Sequence, residues 1–353
     1  MKVPLLDLPA QYAAIGPEIE AAVRRVLASG HYIMGEDVGA LERELASDAG
    51  LPHAIAVSSG TDALLAALWA LGVGPGDEVV TTALSFFATA GAVARLGATP
   101  VFADIDPRTF NLDPESALAR VTTRTKAIIP VHLFGRLADV GALASANVPI
   151  IEDAAQAVGA PGLGHGAFVT LSFFPSKNLG AAGDAGMVLA RDEALADRVR
   201  LYRTHGSRPK YVHHVVGANL RMDTLQAAIL RVKRPYLAAW NAQRRANALR
   251  YHALLTGTPL VLPDDVPGHV WHHFVVRAPR RDELRTFLRE REIETEVYYP
   301  GPLHLQPCFP GAKPGDLPEA ERATREVLAL PVHPDLVDAQ LAYVADAIHA
   351  FYR

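Results

Sequence analysis

The sequence predicts an α/β protein with two parts: a large domain on a mostly parallel, doubly wound sheet, then a smaller α/β domain. Three observations carry this. Between about residues 50 and 200 there are short, β-rich runs that are apolar throughout rather than alternating, as in strands buried on both faces. These runs alternate with helical segments, the order of βα repeats in a doubly wound sheet. From Pro235 the style changes to a long helix, Pro-rich loops and a few mixed elements, which sets the boundary between domains 1–235 and 236–353. A length of 353 residues suits two domains.

Taken in order, two short N-terminal helices are expected at Ile19 to Leu27 and Val38 to Leu45. The run HAIAVSS is a strand, and Gly60 ends it. TDALLAALWALG follows as a helix with Leu64, Leu68 and Leu71 on one face. EVVTT, a helix through FATAGAVARLG, and TPVFADI come next. The later strands are KAIIPVHLF, VPIIEDA, FVTLSFF and GMVLA. In the C-terminal part the expected elements are a helix YLAAWNAQRRANALRYHALL, a strand HHFVVRA, a helix DELRTFLRERE, a strand IETEVYY and a final helix. There is no internal repeat and no low-complexity tract.

Composition excludes several classes. Half the residues are hydrophobic and a fifth are charged, which rules out a disordered chain. A net charge of −4, from 34 basic and 38 acidic residues, argues against a protein that coats nucleic acid. The single cysteine, Cys308, permits no intrachain disulfide; that fits a reducing cytoplasm, and equally an oxidising compartment in which disulfides are not used. No apolar h-region follows the first residues, and no run is long and apolar enough for a membrane span. The fourteen histidines lack carboxylate or cysteine partners at ligand spacing, so no metal site is expected. Neither GVGPGDEV nor GLGHG opens a helix after a strand, so no dinucleotide fingerprint is supported.

Three motifs carry chemistry. In SSGTDALLAAL a strand gives way to a helix start, where free N–H groups and a partial positive charge suit a phosphate. Ser58, Ser59 and Thr61 add hydroxyls; an ordinary N-cap reads equally well. In IIEDAAQ, Glu152 and Asp153 close an otherwise apolar strand, where a carboxylate is costly unless paired. It sits where such sheets bind ligands, or it caps the next helix. In SFFPSKNLGAAGDAG, Lys177 occupies a turn after a strand; a lysine fixed in a dry site can lose its proton and attack a carbonyl, although a lone turn lysine is more often at the surface. Together they give a phosphate cradle, a buried anion and a nucleophilic amine, one strand–loop–strand step separating the last two. Pyridoxal 5′-phosphate needs that set. Phe86, at another strand end, could cover its ring or pack in the core.

The chain resembles the DegT/StrS-type nucleotide-sugar aminotransferases, fold-type I pyridoxal-phosphate enzymes. The resemblance runs from VPLLDLPAQY through SGTDAL, IEDAAQ, SFFPSKNLGAAGD and GANLRMDTLQAAIL to YYPGPLHLQ, nearly the whole chain. It implies that Lys177 is the Schiff-base lysine, that Asp153 pairs the pyridinium nitrogen, and that Gln156 reaches the ring hydroxyl. It further implies that Gly60, Thr61 and Ser172 hold the phosphate, that Phe86 stacks on the ring, and that Asn219 reaches the phosphate bound by a partner subunit. His205, Tyr211, Arg221 and, in the last motif, His304 are the implied substrate contacts. The stretches from Gln156 to Ser172 and from Leu143 to Pro149 are shorter than the family pattern. The string RMDTLQAA resembles members that aminate C-3 of a keto sugar, whereas C-4 enzymes more often read NYRMTD. The expectation is therefore a cytoplasmic homodimer with shared sites. It would transfer nitrogen from glutamate to a UDP- or dTDP-linked keto sugar, at C-3. A C-4 or keto-cyclitol aminotransferase, and a non-catalytic regulator that binds the cofactor or a nucleotide sugar, are the alternatives.

Overall fold

A computed structural model describes every residue from Met1 to Arg353. Helix α1 (Leu8–Ser29) is longer than the sequence suggested. Asp7 caps it, its carboxylate accepting from the Ala10 N–H at 2.9 Å, and Gly30 ends it with a φ of 69°. Helix α2 (Glu36–Ala49) follows. The large sheet is then built from β1 (His53–Val57), β2 (Glu78–Thr82), β3 (Thr99–Ala103), β4 (Thr125–Ile129), β5 (Ile151–Asp153), β6 (Phe168–Ser172) and β7 (Gly186–Ala190). Its helices are α3 (Gly60–Ala70), α4 (Ala88–Arg95), α5 (Pro114–Leu118), α6 (Glu193–Tyr202) and α7 (Thr224–Lys233).

The strands pair in the orders β1-β7-β6-β5 and β3-β2-β4. Parallel bridges from Ile128 to Ile150 and from Val131 to Asp153 join the two sets into one sheet. All neighbours are parallel except β7, which runs antiparallel to both β1 and β6. Apart from the edge strand β3, the strands are largely buried on both faces, which explains their unbroken apolar character. Ile55 and Val57 of β1 pack with α3, α4 and α6, whereas Ala54 and Ala56 pack with α2 and α7. The five strand ends at Val57, Thr82, Ile129, Asp153 and Ser172 thereby share one edge, the edge at which an open parallel sheet binds ligands.

The C-terminal part holds α8 (Leu237–Leu254), β8 (Phe274–Arg277), α9 (Arg281–Arg289), α10 (Pro318–Glu326), β9 (Val327–Leu330) and α11 (Asp338–Tyr352). Strand β8 pairs with β9, antiparallel. This corrects one expectation. IETEVYY forms no strand: Ile293 bridges Val3 and Glu296 bridges Ala329, each singly. Tyr298 and Tyr299 turn towards the large sheet instead of extending a ladder. The expected boundary at 235/236 falls where α8 begins, and that helix serves both parts. Its Leu237 packs under the large sheet, whereas Ala248 and Tyr251 pack in the C-terminal core, which also takes in Val3. No helix is long and apolar enough to cross a membrane.

Candidate active site

The shared strand edge opens into a cavity of about 410 Å³, closed on its far side by residues of the C-terminal part. Its first wall is the β1–α3 turn. Ser59 is an N-cap, its Oγ accepting from the Asp62 N–H at 3.0 Å, so the capping reading of this motif holds for that residue. Gly60 and Thr61 line the cavity. A Cβ on Gly60 would sit 2.6 Å from the Ser172 Cβ, so only glycine lets the turn close against β6. The result is a helix N-terminus beside two hydroxyls, Thr61 and Ser172, a fitting cradle for a dianion.

Glu152 and Asp153 part company because successive strand residues face opposite ways. Glu152 points away from the cavity, is fully buried, and is held by His132 at 3.0 Å and by the N–H groups of Gly164 and Gly166 at 3.2 and 2.6 Å. Burial alone would raise its pKa; these partners outweigh it and hold the carboxyl below its usual range. Glu152 thus pins the short stretch before β6. Asp153 faces the cavity. Its Oδ2 accepts from Thr89 Oγ1 at 2.9 Å, and Ser85 Oγ lies 2.9 Å from the same hydroxyl. Its Oδ1 accepts from the Ala155 N–H at 3.2 Å. Burial pushes Asp153 up, opposed by these donors and by the Lys177 charge. No side chain forms an ion pair with it, and a carboxyl so placed suits a protonated pyridine nitrogen.

Lys177 sits in the β6–β7 turn, its N–H donating to Phe174 O at 2.8 Å. The turn is tight: a Cβ on Gly180 would fall 2.3 Å from Pro175 O. Next to the lysine, Asn178 donates to Asn241 Oδ1 at 2.7 Å and to Val270 O at 2.9 Å, and accepts from His272 Nδ1 at 3.0 Å. The turn is thereby tied to α8 and to the chain before β8. Burial pulls the Lys177 amine down to about 8, against the pull of Asp153. Gln156 is fixed at both ends. Its Oε1 accepts from the Phe134 N–H at 2.6 Å and its Nε2 donates to Tyr299 OH at 3.0 Å. Phe86 lines the mouth and is largely exposed.

The structure therefore brings Gly60, Thr61, Phe86, Asp153, Gln156, Ser172 and Lys177 to one cavity. It places the substrate candidates elsewhere. His205, Tyr211, Asn219 and Arg221 do not line the cavity of their own chain; they lie on the segment between α6 and α7, where Arg221 Nε donates to Asn219 Oδ1 at 2.9 Å. Tyr211 is 80 % exposed. His304 is also off the cavity: it is buried, with Nε2 3.2 Å from Glu321 Oε1 and its ring near Phe102. The apolar stretch around it packs inward, which the motif alone did not reveal. Sequence reasoning missed Ser85, Thr89, His272, His273, Tyr298 and Tyr299, all of which line the cavity. Ser85 lies in the turn before α4 and Thr89 in its first turn, on either side of Phe86.

The sequence profile of the DegT/DnrJ/EryC1/StrS aminotransferase family matches residues 13–349. The chain belongs to this family. A "pleiotropic regulatory protein" of Geobacillus stearothermophilus is 52 % identical over 369 aligned positions, covering 100 % of this chain and 99 % of the relative. A dTDP-3-amino-3,4,6-trideoxy-α-D-glucose transaminase of Streptomyces venezuelae is 44 % identical, covering 98 % of this chain and 95 % of the relative. Among solved structures, S. venezuelae DesV in complex with a ketimine intermediate superposes with a TM-score of 0.97 at 43 % identity, covering 100 % of this chain and 99 % of that one. The aminotransferase is thus an α/β enzyme of the pyridoxal-phosphate class.

Proposed function

We propose that this aminotransferase moves an amino group from glutamate to C-3 of a keto sugar linked to UDP or dTDP, as a step in making an amino sugar. The observation that carries the reading is the meeting of Lys177 and Asp153 in one cavity beside the α3 N-terminus. The S. venezuelae transaminase, whose name places the amino group at C-3, supports the position on the ring. Pyridoxal phosphate, bound there, supplies a ring that takes up the electron pair left when a C–H bond beside nitrogen breaks.

The chain's own groups do the rest. The α3 N-terminus with Thr61 and Ser172 binds the phosphate and sets the depth of the ligand. Asp153, held by Thr89 and Ala155, would pair with the pyridine nitrogen and hold a proton on it. Lys177, with its amine pulled down to about 8, is partly unprotonated at neutral pH. It can therefore add to a carbonyl, whose oxygen leaves as water, and once released as a free amine it can carry a proton between two carbons within its reach. Phe86 covers the mouth and limits water. Asn219, His205, Tyr211 and Arg221, off the cavity of their own chain, serve the site of a second subunit in a homodimer; this assignment rests on the family resemblance and on their exposure.

The test is to incubate the protein with glutamate and a panel of UDP- and dTDP-linked 3-keto and 4-keto sugars, and to identify aminated products by mass and NMR. A product aminated at C-3 is expected. Amination at C-4 alone overturns the position, and no product from any sugar overturns the substrate class. Borohydride treatment should leave a pyridoxyl group on the Lys177 peptide; a label elsewhere, or none, removes the role of Lys177. The name of the G. stearothermophilus relative gives weight to a regulatory reading, in which cofactor or nucleotide sugar binds without turnover. The same panel separates the two.

A further inference from the structure

The Gln156–Tyr299 pair has two protons without a partner inside the chain, the second Nε2 proton of Gln156 and the Tyr299 hydroxyl proton. The Phe134 N–H needs an acceptor, and Gln156 Oε1 takes it at 2.6 Å. That bond fixes which end of the amide is oxygen. Nε2 must then be the donor to Tyr299 OH at 3.0 Å. A phenol that accepts this bond keeps its own O–H for another partner, and Tyr299 makes no other hydrogen bond within the chain. Both side chains line the cavity, as do Asp153 and Lys177. The ring is held in place: it lies 6.5 Å from Phe86 and 5.7 Å from Tyr298, centroid to centroid. Burial also raises the phenol's pKa, so the proton stays on at any working pH.

We propose that Tyr299 is a binding residue that donates its hydroxyl proton to an oxygen acceptor bound in the cavity, oriented for this by Gln156. The inference deepens the proposed function and rests on it. Two bound groups offer such an oxygen: the ring oxygen of the cofactor and the carbonyl or hydroxyl oxygen of the sugar. A hydrogen bond from a neutral phenol to a charged oxygen, once removed, weakens binding by about 10- to 100-fold.

The experiment compares wild type, Tyr299→Phe and a protein carrying 3,5-difluorotyrosine at position 299. Apo protein is titrated with pyridoxal 5′-phosphate, with affinity and absorption band as readouts; KM and kcat for the keto sugar are then measured. If the acceptor is the cofactor oxygen, Tyr299→Phe loosens pyridoxal phosphate and shifts its band before any sugar is added. If it is the sugar oxygen, cofactor affinity and band stay put and kcat/KM falls. Fluorination decides between donating and merely supporting Gln156, because it makes the hydroxyl a better donor and a poorer acceptor at nearly constant shape. Tighter binding of the same ligand is expected; weaker binding overturns the proposal. So does a folded Tyr299→Phe with affinity, band, KM and kcat all unchanged. Wild-type protein that retains no pyridoxal phosphate overturns the parent reading, and this one with it. Bound cofactor with an indifferent Tyr299→Phe overturns this one alone.

Discussion

Asp153 and Lys177 oppose each other's preferences. Burial disfavours the charged form of both, raising the acid and lowering the amine, and each charge partly rescues the other. Two outcomes follow at this scale. In apo protein, the reaction of Lys177 with a small aldehyde should switch on with a midpoint near pH 8, well below an ordinary lysine at about 10.4. In Asp153→Asn the attraction that supports the ammonium is gone, so the midpoint should move lower still. The same variant should fold and lose turnover by at least about 100-fold, since the group facing the ring nitrogen can no longer hold its proton. Near-normal turnover would reduce Asp153 to a turn-forming residue. Gly60, Asp153 and Lys177 were legible because each sits at the end of an apolar run, where the fold rule puts ligands, whereas Ser172 came only from the family resemblance. Thr89 and Tyr299 were not. Thr89 meets Asp153 across 64 positions and Tyr299 meets Gln156 across 143, and no local pattern encodes such pairings.

At the level of elements, α1, α2 and α7 are joined by one buried carboxylate. Asp37 accepts from Arg25 at 2.8 and 3.0 Å and from Arg231 at 2.6 Å. Burial would raise its pKa, yet the two guanidinium groups outweigh that and hold it below the usual value. A lowered folded pKa means that the stabilisation is fully present above the unfolded value of about 3.9 and fades as pH falls through the folded one. Asp37→Ala should therefore cost about 1–2 kcal/mol at pH 7, read from denaturant melts, since the two arginines it leaves are partly exposed. The difference from wild type should shrink as the pH drops below 4. A constant difference across that range would show that packing, not charge, is lost. Helices with clear caps and strands between glycines could be read from sequence. The C-terminal ladder could not: IETEVYY looked like a strand by composition, but β9 directly follows α10 and occupies the place beside β8.

At the scale of the whole molecule, the surface carries exposed apolar side chains. Phe86 and Phe174 are exposed at the cavity, and Phe87, Tyr32, Ile33, Met34, Val212 and Val216 are exposed too. The two-fold partner of the proposed dimer would cover such side chains where they fall at its interface. If the proposed dimer shares its sites, mixing Lys177→Ala with Asn219→Ala should restore activity once subunits exchange. One site of each mixed dimer collects both lesions and the other none, so recovery should approach roughly a quarter of wild type. Exchange proved by labelling, with no activity regained, would place Asn219 in its own subunit's service. The resemblance suggested this arrangement; composition and periodicity carry no trace of it, because a surface that meets a copy of itself looks like any other surface in one chain.

The antiparallel course of β7 has a bearing on how Lys177 moves. Had β7 run parallel to β6, the chain after the lysine would have had to cross to the far end of the sheet. Instead it returns at once, and the lysine turn is the tip of a hairpin. Phe173 N–H donates to Ala185 O at 2.8 Å and Ala181 N–H donates to Phe173 O at 2.7 Å. These two amides close the neck of the loop where β6 and β7 leave the seven-stranded sheet. Their deuterium exchange should be among the slowest in the protein, governed by global opening. The amine at the tip is free to swing on its own four-carbon stem while its Cα stays still, so the motion that turnover demands is confined to a side chain.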